Sequence, residues 1–364
     1  MKTSGTKSLP VLMYHYVNDW AGAITVSPRL FEEHCRALAE GGWRGVGLAE
    51  AEDFLARGEP LPEKSLLITF DDGFLDNYLH ALPILHKYGH RAALFAVAAR
   101  IGTGEARACP KDLKMGKQVD IPEVLMPRED ADGAVLRRDV FLNREELRAM
   151  DADGVITPAS HARGHYAVFT GPEYDGAFLP ENLPRTFFHT DLGPVFGLPD
   201  FKTGPGLLHR AFLPDPDLVE AVKSLVPQSF PEMRRFARQG GRAELEGIYR
   251  SFAGKMGRFE GDAERAQRMR REIAGGRADL EDILGRKVAS LCWPWGKYCP
   301  EAFDLAREAG FEVFFTTREG VNPPKRPLAV RRFKAKDKDG AWLTSRVFVY
   351  SRPLLGRLYT AARF

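Results

Sequence analysis

Short apolar runs alternate with helical patterns along the first hundred residues, and this alternation limits the folds open to the chain. Residues 9–15 and 65–70 are apolar runs of strand length without the regular polar alternation of a half-exposed strand. Between them, Phe31 and Leu38 follow helical spacing after a Ser-Pro helix start at residues 27–28. Because strands buried on both faces are typical of parallel sheets covered by helices, the pattern predicts a parallel α/β fold.

The charge and cysteine content exclude some classes of partner and site. The formal net charge of +3 is too small to attract nucleic acid through the whole surface, so no nucleic-acid partner is expected. The four cysteines are scattered without a close CxxC pair, which argues against a zinc knuckle or a disulfide framework. Residues 1–10 contain no apolar run, and no stretch reaches the roughly 18 apolar residues of a spanning helix. A cytoplasmic location is the simplest expectation.

Two adjacent carboxylates, Asp71 and Asp72, end the apolar run at residues 65–70. Like charges repel and each loses hydration on burial, unless a divalent cation compensates. One carboxylate could then bind the metal while the other accepts a proton from an attacking water. A helix N-cap explains an Asp at this position equally well. The pair alone leaves both interpretations open.

His161 and His165 are four residues apart. If their segment is helical, both imidazoles lie on one side, as a shared metal requires. The spacing alone is a weak signal, because exposed histidines reach it by chance. Together with Asp72, however, two histidines and one carboxylate leave coordination positions open for water and substrate. That combination is the pattern of a catalytic metal site.

Three short segments resemble the motifs of the polysaccharide deacetylase (NodB-homology) family. They are Leu-Ile-Thr-Phe-Asp-Asp-Gly at residues 67–73, Ser-His-Ala-Arg-Gly-His at 160–165 and Cys-Trp-Pro-Trp-Gly-Lys-Tyr at 292–298. Segments at residues 10–15 and 77–95 are also similar to the family. Each motif alone is unspecific, but the three in this order are jointly specific. The resemblance implies a distorted parallel (β/α) barrel of the NodB-homology type with a large insertion.

The same resemblance implies roles for individual residues. Asp71 would be the general base, and Asp72, His161 and His165 would hold a divalent metal, with zinc as the expected ion. The third motif would contact the substrate or its oxyanion through Trp293, Pro294, Trp295 and Gly296. A backbone N–H near Trp295 would stabilise the oxyanion, and both tryptophan rings would stack on a sugar. Core packing is an equal alternative for Trp293.

The sequence departs from the family pattern at two points. Many members carry an arginine in the third motif that orients the base, whereas this chain has Cys292 or Trp293 there, and Arg332 is the candidate replacement. Many members also end with a Leu-x-His motif that supplies the acid for the leaving group, but the last histidine here is His209. His15 is the candidate acid, because it follows the first buried strand at the end where barrel active sites assemble. A structural histidine is the alternative.

The alternation of strands and helices breaks off after His165 and resumes near residue 262, so four regions are expected. They are the first part of the barrel, an inserted lid or specificity region, the second part of the barrel and a basic amphipathic C-terminal segment, at residues 9–165, 166–262, 263–333 and 334–364. The early insertion is rich in Pro, Gly and aromatic residues, and Phe187, Phe188 and Phe196 are expected to line a substrate groove.

The last region interleaves Lys and Arg with apolar residues, as an interfacial amphipathic helix does. Its basic residues beyond Gly340 are Arg346, Arg352, Arg357 and Arg363. We expect peripheral contact with the inner membrane surface. A terminal helix packed on the barrel is the alternative.

These features predict a metal-dependent hydrolase that removes an acetyl or other acyl group from an amino sugar or glycan. A lipid-linked precursor of a cell-surface polysaccharide is one expected substrate. The alternative is a non-catalytic glycan-binding or scaffolding protein that retains the fold. The missing Leu-x-His favours this alternative. The presence of Asp71 and Asp72 with both histidines opposes it, because a binding protein has no use for a free carboxylate beside a metal.

Overall fold

The predicted alternation of strands and helices is present in the computed structural model, which describes residues 5–20, 22–107, 128–130, 133–135, 138–179 and 195–363. The strands are, in chain order, β1 (Val11–Tyr14), β2 (Tyr16–Val17), β3 (Thr25–Val26), β4 (Arg44–Gly45), β5 (Ser65–Asp72), β6 (Ala92–Ala96), β7 (Arg128–Asp130), β8 (Gly133–Val135), β9 (Ile156–Ser160), β10 (Ala167–Ala177), β11 (Pro199–Pro205), β12 (Phe212–Pro214), β13 (Gly257–Phe259), β14 (Ser290–Cys292), β15 (Val313–Phe315) and β16 (Phe333–Lys334). The helices are α1 (Pro28–Glu40), α2 (Leu48–Glu52), α3 (Leu82–Tyr88), α4 (Arg144–Asp153), α5 (Pro216–Leu225), α6 (Phe230–Phe236), α7 (Arg242–Ser251), α8 (Asp262–Arg270), α9 (Gly276–Leu284), α10 (Pro300–Glu308), α11 (Gly340–Tyr350) and α12 (Pro353–Ala361).

The main sheet is parallel and curled, which confirms the predicted distorted (β/α) barrel. Seven strands pair side by side in the order β15-β14-β9-β6-β5-β1-β16, and the short β4 pairs with the first residues of β5. Each of these pairings is parallel. The carboxyl ends of the strands therefore meet at one edge, which is where α/β folds place their binding sites.

The segment that leads into β16 connects the two ends of this curled sheet. Val330 bridges Phe315 of β15 in parallel, and a few residues later β16 pairs with β1. Residues 330–334 thus contact both end strands. Arg332 lies in the middle of this connection, which we call the seam.

Apolar side chains fill the space between the sheet and its helices. β5 is buried from its start to Asp71, and every residue of β6 is buried, which explains why their sequences lack polar alternation. α1 begins at Ser27, whose hydroxyl accepts a hydrogen bond from the Leu30 N–H. Its apolar side, which includes Phe31, packs in the same core.

Residues 167–259 contain a second, antiparallel sheet with an apolar cluster of its own. The strand order is β11-β10-β12-β13, and Phe196, Leu218 and Tyr249 are among the buried side chains of the cluster. Phe196 is therefore a core residue, and the expectation that it lines a substrate groove is wrong. Phe187 and Phe188 lie outside the described residues.

This inserted region is hydrogen-bonded to the residue that follows the third motif. It leaves the barrel directly after His165, and the Cys299 N–H, one residue past the third motif, donates to the Leu207 carbonyl at 2.9 Å. Leu207 itself packs in the barrel core. The base of the insertion therefore lies on the carboxyl-end side of the main sheet.

The C-terminal segment forms two helices that differ in burial. Leu343, Val347 and Tyr350 of α11 are buried in the barrel core. Leu354 and Leu358 of α12 are instead 77% and 70% exposed. Within the described part of the chain, every helix is too short or too polar to cross a membrane.

α11 is predicted to stabilise the barrel far more than the exposed side of α12 does. Leu343→Ala should lower the free energy of unfolding by about 2–5 kcal/mol, because the lost side chain leaves a cavity. Leu354→Ala is the matched control at an exposed position and should change that free energy by less than about 0.5 kcal/mol. Chemical denaturation measures both. Equally small effects would show that α11 is not part of the barrel core.

Candidate active site

The three motif segments meet at the carboxyl edge of the main sheet. Asp71 and Asp72 are the last residues of β5, Ser160 is the last of β9 and Cys292 is the last of β14. Parallel pairing brings these strand ends side by side. As a result, Sγ of Cys292 lies 3.8 Å from Oδ1 of Asp71, although 221 positions separate the two residues.

Asp72, His161 and His165 form a group that can hold one metal ion. Nε2 of each histidine lies 3.8 Å from Oδ1 of Asp72, and the three ligand atoms lie within 4.8 Å of one another. A metal ion that lies about 2 Å from each of its ligand atoms can bridge two atoms that are 3.8 Å apart. The structure thus brings together the three residues predicted as ligands.

The hydrogen bond of His161 suits a metal ligand. Its Nδ1–H donates to the Cys292 carbonyl at 2.8 Å. Since a carbonyl only accepts, Nδ1 carries a proton, and in the neutral imidazole the lone pair is then on Nε2, the atom nearest Asp72. Such a bond to the second ring nitrogen orients metal-binding histidines in general.

A second group, Asp71, His161 and Cys292, is also compact enough for a metal, but its donors suit one less well. Both oxygens of Asp71 already accept hydrogen bonds from Arg332. Burial raises the pKa of the Cys292 thiol well above its ordinary value, so the thiol stays protonated. The donor chemistry therefore favours Asp72 with the two histidines.

The segment that carries His161 and His165 is not helical, so the helical basis for pairing them is wrong. Instead, Ala162 and His165 have φ values of 60° and 54°, and these left-handed residues turn the chain within the loop. Asp72 and Trp295 also have positive φ, so four of the six such non-glycine residues in the described chain lie at this site. Each costs about 1–3 kcal/mol and persists where the surroundings enforce it, often at functional sites.

Glu272 supports the second-motif loop from a distant part of the chain. Its carboxylate accepts from the Gly164 N–H at 2.9 Å, and its backbone carbonyl accepts from the Arg163 N–H at 2.9 Å. Glu272 is buried, in a turn of π-helix between α8 and α9. Its role could not be predicted from the sequence, because a glutamate in a charged helical stretch is usually exposed.

Arg332 is the partner of Asp71. Its buried guanidinium donates to both carboxylate oxygens, at 2.6 and 2.8 Å, and also to the Thr69 hydroxyl at 3.1 Å. Burial alone would raise the pKa of the Asp71 carboxyl, but Arg332, together with His161 and His15, lowers it to about 2. Asp71 is therefore ionised near neutral pH, as a proton acceptor must be. The structure thus pairs Arg332, the predicted replacement for the missing motif arginine, with the predicted base.

His15 lies next to Asp71, directly after β1. Its Nε2 is 3.9 Å from Oδ2 of Asp71, and its side chain is 17% exposed. Burial lowers the pKa of His15, while the carboxylates of Asp71 and Asp72 oppose this shift. The site thus has an imidazole, neutral near pH 7, beside the ionised carboxylate.

A second buried carboxyl, Asp76, fixes the loop after His15. Asp76 accepts from the Asn18 amide at 2.6 Å, and Asn77 donates to the His15 carbonyl at 2.8 Å. Burial raises the pKa of Asp76 to about 7, although its hydrogen bonds oppose the shift. Asp76 and Asp71 thus differ widely in acidity, because Asp71 has a cationic partner and Asp76 has neutral donors.

Trp293 belongs to the barrel core. It is fully buried, and its ring stacks on those of Tyr298 and Phe314, with centroids 4.5 and 5.7 Å away. Its ring faces are therefore occupied. The predicted sugar contact of Trp293 is wrong, and the core-packing alternative is correct.

Trp295 lies at the site itself. Its half-buried ring meets the ring of His165 edge-on, with centroids 4.1 Å apart. The neighbouring Pro294 is buried, and Gly296 has a φ of 66° with Thr317 where a Cβ would stand. Pro294 and Gly296 therefore shape the turn that presents Trp295.

Comparison with known families agrees with this arrangement of motifs. The family model described as Polysaccharide deacetylase matches residues 58–177, which contain the first two motifs. This match, together with the relatives and the solved structure described below, points to the NodB-homology polysaccharide deacetylase family. The metal-ligand candidates Asp72, His161 and His165 all fall within the matched residues.

Two curated relatives match parts of this chain. YxkH of Bacillus subtilis (strain 168), whose name also carries the words polysaccharide deacetylase, is 38% identical over 102 residues. The poly-beta-1,6-N-acetyl-D-glucosamine N-deacetylase of Escherichia coli (strain K12) is 27% identical over 181 residues. These matches cover 28% and 49% of this chain but only 36% and 24% of the two relatives.

The overall fold also matches a solved structure of a de-N-acetylase from Aggregatibacter actinomycetemcomitans. The TM-score is 0.60 at 18% sequence identity, and the match covers 93% of this chain and 99% of the other. At this identity the likeness shows the fold alone.

Breaking the ion pair of Arg332 is predicted to destabilise the protein. Arg332→Met leaves the Asp71 carboxylate buried without its partner and should lower the free energy of unfolding by about 3–5 kcal/mol. Arg331→Met, at the exposed neighbouring position, is the control and should have little effect. Adding Asp71→Leu to Arg332→Met should recover much of the loss, because no uncompensated charge remains. A double variant no more stable than Arg332→Met would contradict this explanation.

Proposed function

We propose that this chain is a metal-dependent carbohydrate deacetylase, which hydrolyses an acetyl group from an amino sugar of a glycan. The proposal rests on one observation in a chain whose residues 58–177 match the polysaccharide deacetylase model: the ionised Asp71 carboxylate directly precedes Asp72 and lies beside the group that suits a metal. Zinc is the proposed ion, because two histidines and a carboxylate are a donor set of catalytic zinc. A non-catalytic glycan-binding protein would have no use for a buried carboxylate such as Asp71, which a lowered pKa keeps ionised.

Each residue has a defined task in this proposal. Asp72, His161 and His165 would hold the metal, which when bound polarises the acyl carbonyl and makes water more acidic. Asp71 accepts the proton of the attacking water, and Arg332 keeps that carboxylate ionised and oriented. A backbone N–H in the turn of Trp295 is the proposed donor to the oxyanion.

His15 is the proposed acid for the leaving amine. Because burial lowers its pKa, the imidazole is neutral near pH 7 and has to receive a proton before it can deliver one. Asp71, 3.9 Å away, is the group that has just taken one up. A small movement of either side chain would allow the transfer.

The inserted region is proposed to form one wall of the substrate groove. Its base is joined to the third motif by the hydrogen bond from Cys299 to Leu207. Loops carried by a rigid site commonly set substrate choice. Changes in the exposed loops of this region are therefore expected to alter substrate preference and to leave metal binding unchanged.

Two substitutions test the proposal by separating the proton acceptor from the metal site. Asp71→Asn keeps the shape of the side chain but removes the acceptor, so acetate release from acetylated amino-sugar oligomers should fall roughly 10²-fold or more, with metal content unchanged. His161→Ala removes one ligand and should lower both metal content and activity. His86→Ala, at an exposed histidine paired with Asp153, is the control and should change neither.

Acetate release and elemental analysis of the purified protein are the measurements. A zinc-loaded wild-type chain that binds such oligomers without releasing acetate would support the binding-protein alternative. Full metal content in the His161→Ala variant would remove His161 from the ligand set.

We further propose that the protein is cytoplasmic and attaches to the inner membrane surface, where its substrate would be a lipid-linked glycan precursor. Leu354 and Leu358 are exposed on α12, and Arg352 and Arg357, also exposed, lie within two positions of them in the sequence. Apolar side chains among arginines suit an anionic bilayer surface, where each basic residue contributes about 1 kcal/mol.

Membrane attachment is predicted to depend on these two leucines. Leu354→Ser combined with Leu358→Ser, in the full chain, should reduce sedimentation with phosphatidylglycerol vesicles at low salt, and high salt should reduce the binding of the wild type. Phe259→Ser, at an exposed apolar position of β13, is the control. Equal sedimentation of all three proteins, or none at low salt, would show that α12 is only a packed terminal helix.

A further inference from the structure

A cluster of basic residues lies outside the active site, between β16 and the C-terminal helices. It lines a cavity of about 140 Å³, which we call the basic pocket. Its cationic side chains are those of Lys334, Lys336, Lys338, Arg346 and Arg363. Trp342 and one acid, Glu319, also line it. Five positive groups therefore face one carboxylate.

The acids near the basic pocket bind Arg363 or groups outside the pocket, and none of the hydrogen bonds described here goes to a lysine of the pocket. Glu319 accepts from the Tyr350 hydroxyl and from Arg363, both at 2.8 Å. Asp337, although it lies between two of the lysines in sequence, accepts from the N–H and hydroxyl of Ser27. Asp339 caps α11 by accepting from the Trp342 N–H. The lysines thus gain little compensation from these carboxylates.

The cations of the pocket are crowded. Burial lowers the pKa of Lys334, and the neighbouring Lys336 lowers it further. Arg346 lies over the rings of Trp342 and Tyr359, at 5.6 and 5.1 Å from their centroids, which fixes its guanidinium at the pocket wall. Like charges held together in this way repel one another, and a bound anion would relieve that repulsion.

We propose that the basic pocket binds a phosphate group, carried either by a lipid headgroup or by a soluble phosphate ester. Ammonium groups bind phosphate as point charges, and arginines donate to its oxygens in pairs. The cavity is several times larger than a single ordered water needs. Lys336 and Lys338 are exposed, so a ligand has access from solvent. The proposal concerns binding and is independent of the deacetylase activity.

Pyrophosphate is the probe for a calorimetric titration of the full chain. Lys336→Gln combined with Lys338→Gln should weaken pyrophosphate binding about tenfold or more. Lys223→Gln combined with Lys255→Gln removes the same charge from two exposed lysines of the inserted region and should change the affinity less than about twofold. Lys336→Arg with Lys338→Arg should retain binding. Equal affinities of the two glutamine variants, or no pyrophosphate binding by the wild type, would overturn the proposal.

Vesicle sedimentation then distinguishes the two sources of phosphate. If the ligand is a lipid headgroup, the pocket variant should lose binding to phosphatidylglycerol vesicles and pyrophosphate should compete with the vesicles. If the ligand is a soluble ester, pyrophosphate binding is lost in the variant while vesicle binding is unchanged. Because Leu354 and Leu358 are intact in this variant, the result is separate from the test of α12.

Discussion

The ion pair between Arg332 and Asp71 is the interaction on which the site depends, because it joins the seam of the barrel to the end of β5. The same guanidinium donates to the Thr316 carbonyl at 2.9 Å, just past β15. Burying two charges costs several kcal/mol for each ion, and only good geometry offsets that cost. If the role of the seam were purely structural, apolar side chains of similar volume would stabilise it at least as well as this ion pair does. The charges therefore indicate a use for an ionised carboxylate at this point.

The parallel topology explains how much of the site could be predicted from the sequence. Asp72, Ser160 and Cys292 each end a strand, and parallel pairing is enough to bring such ends to one edge. Arg332 could be named because the third motif lacks an arginine that the family pattern contains. Its pairing with Asp71 follows from the seam, which returns the chain to β1 beside β5.

Features set by backbone conformation or by distant contacts could not be predicted. Helical spacing suggested the pairing of His161 and His165, but left-handed residues in a loop achieve it. The Cys292 carbonyl that orients His161 has no side-chain signature in the sequence. Glu272 supports the second motif from more than a hundred positions away, and one sequence contains no signal for such a contact. Trp293 was ambiguous because aromatic residues suit a core and a sugar equally well.

The seam and the basic pocket share β16, and this proximity bears on the substrate. Arg332 and Lys334 are two positions apart, about 7 Å along a strand. A substrate with a phosphate in the basic pocket and an acylated sugar at Asp71 would gain binding energy at the pocket. That energy would help to orient the acyl group at Asp71, which raises turnover as well as affinity. A neutral polymer would gain no binding energy from the basic pocket. The repulsion among the cations of the pocket would then oppose folding without contributing to substrate binding. The two proposals taken together, phosphate binding in the basic pocket and deacetylation at Asp71, would suit a sugar linked to a phosphate better than a long neutral glycan.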